Sequence, residues 1–232
     1  MKITYQEKVQ ASDLPVNAVA DTYLFSIQII DVNRRAHDLL NEISNTSWIQ
    51  KLSPVAQASY TIVTHKTIAK LVHIFTSVNN KVTKDFGEFM ISMSSGECLN
   101  QVYNHTVLPL SELWKEKTSN NHGFDFHTLS PNDKFSFGEA KYTSSGNSYT
   151  TSAEQVVRFL KEGKDGVDAV HLINFGSSTA IDNLIKRKRG CIVAFSINSD
   201  NYKQILKNTL NNENVQELSK CCDELYIIGV KA

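Results

Sequence analysis

The chain has 232 residues, 41% of them hydrophobic, with 24 basic and 24 acidic side chains. That length and apolar content supply one sizeable core without help from staples. A formal net charge of zero excludes a polybasic protein that coats nucleic acid, although a local basic patch beside an acidic metal site remains compatible with it.

The opening residues, MKITYQEKVQ, lack the apolar stretch of a signal peptide. The longest apolar runs, such as residues 225–230, are too short to cross a bilayer. The four cysteines are Cys98, Cys191, Cys221 and Cys222; they form no CxxC pair, and the two neighbours do not easily bridge each other. Reduced thiols without structural zinc, no membrane association and a cytoplasmic location are the expectations.

In chain order, residues 22–30 (TYLFSIQII) are β-branched and aromatic and predict a strand. A helix follows over about 32–44, then a long helical stretch over about 55–77. Phe86, Phe89, Met90 and Met93 stand at i, i+3, i+4 and i+7, the apolar stripe of an amphipathic helix that Ser94-Ser95-Gly96 should weaken near its end. Residues 124–129 and 135–142 are β-prone runs separated by Ser130-Pro131-Asn132-Asp133, which suits a type I turn and predicts a hairpin. Thr151 with Glu154 three residues on predicts a capped helix start. A helix over 181–188 ending at Gly190, a strand over 191–197, a helix from about Tyr202 and a strand over 224–230 complete the chain. The expected fold is α/β with a mixed sheet flanked by helices. Residues 1–80 would be an N-terminal strand and helical extension packed on a core formed by 81–232.

The chemistry concentrates in the hairpin. Glu139 and Lys141 are two apart on one strand and therefore share a face, and Asp125 is the acid of the partner strand. If Ser130 pairs with Asp133, Asp125 falls opposite position 138; a register one residue longer places it opposite Glu139. Strand interiors are poor in Asp, Glu and Lys, so three such residues on paired strands call for a reason. One reason is a hard divalent cation, Mg²⁺ or Mn²⁺, held by Asp125, Glu139 and the backbone carbonyl of Ala140. Lys141 would then stand beside an attacking water and neutralise charge that develops on phosphorus. The bland alternative is an exposed edge strand blunted by charges, with Asp125 merely flanking a turn. Burial implied by Phe135 and Phe137 on the face of Glu139 argues against it. Glu88, beside the apolar stripe, and Gln155, in the first turn of the next helix, are supporting candidates.

The run Lys186-Arg187-Lys188-Arg189 exceeds what a helix C-terminus needs and suggests contact with a phosphate backbone. His122, Asp125 and His127 could be imagined as a transition-metal site, but no further ligand set accompanies them, and solvent-exposed or phosphate-contacting histidines are the simpler reading. The Asp85-Phe86-Gly87 triplet lacks the other kinase motifs.

The order Glu88, GFD at 123–125, GEAK at 138–141 and AEQ at 153–155 resembles the PD-(D/E)XK nuclease superfamily. More narrowly, DFGE (85–88), PLSELW (109–114), GFDFH (123–127) and FGEAKY (137–142) resemble the HamA family, the nuclease subunit of the Hachiman anti-phage system. The resemblance implies a restriction-endonuclease-like core and metal-dependent cleavage of DNA with little sequence preference. It also implies a superfamily-2 helicase partner, HamB, that holds the nuclease in check. Carried onto this chain, Asp125, Glu139 and Lys141 form the centre, with Glu88 and Gln155 supporting. The chain departs from the motif in having GFD where a literal PD would stand. Two rivals stand beside this reading: a catalytically inactive nuclease-fold subunit that binds DNA or protein, and a stand-alone restriction-type endonuclease.

Overall fold

The computed structural model describes residues 1–76, 82–115 and 123–232. Its strands are β1 (Lys2–Lys8), β2 (Asp21–Gln28), β3 (Thr106–Val107), β4 (Phe126–Leu129), β5 (Phe135–Lys141), β6 (Gly190–Ser196) and β7 (Glu224–Lys231). Its α-helices are α1 (Val32–Ser44), α2 (Pro54–Thr76), α3 (Lys84–Tyr103), α4 (Tyr149–Lys161), α5 (Lys164–Leu172), α6 (Ser178–Ile185), α7 (Tyr202–Thr209) and α8 (Glu213–Cys221).

The strands form one mixed sheet in the order β1-β2-β7-β6-β5-β4-β3. The central four run parallel, while β1 on one side and β4 with β3 on the other are antiparallel. Helices cover both faces, so β6 and β7 are buried almost throughout, and their continuous apolar sequences CIVAF and LYII follow from that. No helix among the described residues is long and apolar enough to cross a membrane.

β2 pairs with β7 over eight residues, so residues before 80 contribute two strands to the same sheet that carries the hairpin. β1 is not apparent in the sequence: it is an edge strand with half-exposed side chains, and its pattern carries little hydrophobic signal. α3 runs unbroken through Ser94-Ser95-Gly96 to Tyr103, contrary to expectation. Those small residues are buried, and the Arg35 guanidinium from α1 donates to Ser94 Oγ (3.0 and 3.2 Å) while pairing with Glu97 at 2.7 Å. Tertiary contacts thus offset weak local helix preference. α4 begins at Tyr149, not at a Thr151 cap; the Ser148 hydroxyl donates to the Lys141 carbonyl (2.7 Å) instead of capping the helix. α5 and α8 were not foreseen, being short amphipathic helices next to longer signals.

The expectation of four reduced cysteines fails. Cys191 at the start of β6 and Cys222 just before β7 are joined in a disulfide, because parallel pairing of those two strands brings positions 31 residues apart together. Cys98 and Cys221 are free.

A buried polar chain crosses one sheet face. His105 Nδ1 lies 2.9 Å from Thr128 Oγ1 and its Nε2 lies 3.1 Å from the Tyr226 hydroxyl, which donates to Glu224 (3.2 Å). Burial pushes His105 down to about 4 from an ordinary 6.5, so the folded chain holds the neutral ring. The unfolded chain therefore binds more protons between those values, and stability present above pH 6.5 is lost as pH falls toward 4. Urea melts should show about 3 kcal/mol of stability disappearing across that window through this residue. A His105→Gln variant should show a correspondingly flatter pH dependence; an unchanged slope would contradict the assignment.

Candidate functional site

The hairpin turn decides the register. Asp133 N–H donates to Ser130 O (3.0 Å), Ser130 N–H donates to Lys134 O (2.9 Å), and Asp133 sits at φ 54°, in the left-handed region. A type I turn followed by a left-handed residue lengthens the loop by one position, and aspartate tolerates that conformation. Leu129 then pairs with Phe135 and Phe126 with Gly138, so the longer of the two registers holds, and Asp125, which immediately precedes β4, comes next to Glu139. Gly138 is required here: a Cβ on it would lie 2.5 Å from the Phe126 ring, which covers that position across the strands.

Glu139 is fully buried, and neither carboxylate oxygen has a hydrogen-bond partner among the described residues. Lys141 Nζ stands 3.5 Å from Glu139 Oε2, near enough for charge attraction but beyond a good hydrogen bond. Burial, and then the neighbouring Asp125, push the Glu139 carboxyl well above the usual range. Burial alone would lower Lys141, but Asp125, Glu139 and Glu88 outweigh it and raise the ammonium above its ordinary value. Asp125 Oδ2 accepts from the Ala140 N–H at 3.0 Å. A strand residue's N–H and C=O lie on the same edge, so the Ala140 carbonyl also faces the edge that Asp125 occupies.

Glu88 approaches from α3. Gly87 permits this, because a Cβ there would sit 2.3 Å from the Tyr142 ring. The half-buried Glu88 carboxyl is raised by burial, against the opposing effect of Lys141. Gln155 projects from α4. Glu88, Asp125, Lys141 and Gln155 all line one cleft of about 720 Å³; the fully buried Glu139 is not part of its lining. Among the expected catalytic residues, Asp125, Glu139 and Lys141 converge directly, and Glu88 and Gln155 face the same space.

The basic run does not join them. Gly190, which follows it, is opposite Ser136, whereas Lys141 is opposite Phe195, so the run lies at the other end of the parallel strands. Arg187 and Arg189 border a separate cavity of about 620 Å³. Arg189 is mostly buried, ion-paired to Asp165, and so is held internally instead of reaching for phosphate.

Sequence reading missed a second polar group at the cleft wall. His127, expected to be exposed, is fully buried; its Nδ1 lies 3.1 Å from Ser111 Oγ and its Nε2 lies 3.0 Å from Asp168 Oδ2. Asp168 Oδ1 pairs with Lys115 Nζ at 2.5 Å, and that ammonium also lies 4.8 Å from the Trp114 ring centre. Burial would raise Asp168, but His127 and Lys115 reverse this and lower it. Burial lowers both Lys115, despite Asp168, and His127. No local signal marks Lys115 or Asp168; the fold brings Asp168 of α5 to both Lys115 and His127 of β4. His122 lies outside the described residues.

No group of three or more His, Cys, Asp or Glu side chains that could hold a metal ion occurs among the described residues. No family model, no curated protein and no solved structure matches the chain.

Because its folded carboxyl is raised, Glu139 lends stability at low pH that is lost as pH rises through its folded value. At neutral pH without divalent cations, Glu139→Gln should therefore melt higher than wild type, by roughly 2–4 °C for each kcal/mol relieved. Gly87→Ala should cost about 1–3 kcal/mol through the forced shift of α3 from Tyr142, read by denaturant melts.

Proposed function

We propose that the protein is a divalent-metal-dependent deoxyribonuclease with a restriction-endonuclease-like core, and that it cuts DNA with little sequence preference. The observation that carries this reading is the Glu139 carboxylate: fully buried, without a hydrogen-bond partner among the described residues, and faced by a second carboxylate. A buried charge left in this state is costly unless a cation completes it.

The donor set suits a hard cation. Mg²⁺ commonly takes one or two protein carboxylates and fills its remaining positions with water and phosphate, so a cluster of three acidic or imidazole side chains is not required. Asp125, Glu139 and the Ala140 carbonyl would hold Mg²⁺ or Mn²⁺, which supplies Lewis-acid polarisation of the phosphodiester and acidifies water when bound. Lys141 remains protonated at neutral pH, since its ammonium is raised, and it stands on the same strand face as Glu139. It orients a water and offsets negative charge on the phosphoryl oxygens. Glu88, with its raised carboxyl, is placed to accept or return a proton at the cleft wall. Gln155 orients substrate from the α4 side.

The resemblance to HamA extends this to a role: effector of anti-phage defence, cytoplasmic, and held in check by a superfamily-2 helicase of the HamB kind. The zero net charge motivates a second reading, a nuclease fold that binds DNA or a protein partner without cutting.

Incubation with plasmid DNA and Mg²⁺, with and without the helicase, separates the two. Glu139→Ala and Lys141→Ala should each lower cleavage at least 10²-fold. Mn²⁺ or Mg²⁺ should raise the melting temperature of wild type and leave Glu139→Gln unmoved. Wild-type cleavage by both alanine variants, with no thermal shift in wild type, would remove these residues from catalysis.

A further inference from the structure

The expected nucleic-acid contact, the run at 186–189, is directed elsewhere, yet a phosphodiester in the carboxylate cleft has neighbouring phosphates that need positive partners. The cleft supplies them. Its floor is acidic, but its two walls carry cations: Lys84 on α3, one helical turn from Glu88, and Arg158 on α4, one turn beyond Gln155. Lys84 is exposed, and the Arg158 side chain is 59% exposed, with a loose pairing to Glu162 at 3.9 Å and its guanidinium 5.3 Å from the Phe159 ring centre. Between the walls Lys115 reaches the same space. Its side chain is only 17% exposed, and its ammonium, with three donors, has Asp168 as its one ion-pair partner among the described residues. The ammonium nitrogen itself is shut off from solvent between Asp168 and the Trp114 ring, so it adds positive potential to the cleft without touching a phosphate.

We propose that the cleft walls, through Lys84 and Arg158, are the track for the nucleic-acid backbone, taking the phosphates that flank the one over Asp125 and Glu139. The inference rests on the nuclease reading and adds to it the direction of the strand, from α3 across the floor to α4. These contacts meet phosphate only, so they hold the substrate in place without reading bases. Acidic floor and basic walls also explain how a chain of zero net charge attracts a polyanion: the local field at the cleft matters, not the sum.

The test is binding without cleavage. Fluorescein-labelled DNA, as a duplex and as a single strand in two unrelated sequences, is titrated with full-length Glu139→Gln protein between 50 and 200 mM salt. Adding Arg158→Gln or Lys84→Gln, both surface changes that leave folding intact, should weaken binding equally for both sequences. Each should also lower the slope of log K against log salt by about 0.7–0.9. Lys186→Gln and Lys188→Gln should leave the slope unchanged. The proposal is overturned if the slope follows Lys186 and Lys188 and ignores the cleft walls. If wild type cuts DNA in a Glu139-dependent way while the wall variants keep wild-type KM and slope, the track is wrong and the nuclease reading stands. If no DNA is bound or cut under any condition, both fall.

Discussion

The site is organised by one unfavourable group. A carboxylate at the middle of a sheet, shielded from water and without a well-formed hydrogen bond among the described residues, opposes folding. Glu139 is in that position because β5 lies between β4 and β6 and α4 covers its face; the Ser152 hydroxyl from α4 even donates to the Glu139 backbone carbonyl at 2.9 Å, holding the helix over the strand. The rest of the cleft can be understood as a response to that charge. Lys141 is drawn toward it on the same face, while Asp125 adds a second negative charge instead of relieving the first. Two acids pressed together and one cation too far for a hydrogen bond leave the arrangement short of positive charge, which is the physical basis for the metal proposed here.

Approach of the walls depends on missing side chains as much as on present ones. Gly138 gives Phe126 room to lie over the strand, and Gly87 gives Tyr142 room beneath α3. The first fixes the hairpin and so the opposition of Asp125 to Glu139. The second sets how near Glu88 comes. On the opposite wall the Ser111–His127–Asp168–Lys115 chain ties the segment before the hairpin, β4 and α5 into one rigid unit. Burial lowers His127 in that chain, while burial would raise Asp168 but His127 and Lys115 lower it. Ionisation at the cleft is thereby divided: Glu139 tends toward its neutral form, Lys141 toward its charged form, and Asp168 toward its carboxylate. Pairs of groups driven apart in this way are what proton transfer and charge stabilisation require.

Much of this was legible in the residues. The α1 helix, the hairpin, β6 and β7 follow from periodicity and turn chemistry, because each is decided by contacts a few residues apart. The pairing of acid, acid and lysine on two adjacent strands could be read because strand geometry alone fixes which side chains share a face. The hairpin register could be narrowed to two alternatives and no further. Choosing between them needed the left-handed conformation of Asp133, a residue whose side chain permits that geometry without demanding it.

Everything carried by long-range contact lies beyond such local reading. The Cys191–Cys222 link arises from β6 lying beside β7; the burial of His127 and its Asp168–Lys115 partners arises from the fold bringing α5 to β4; the internal role of Arg189 arises from Asp165 on α5. None of these leaves a periodic or spaced trace, since the partners are 24 to 53 residues apart in the chain. Sequence determined the chemistry available in the hairpin, because a strand's alternation is a local property. The fold determined which charges are stranded from water and which cations surround them, because burial is a property of the whole chain at once.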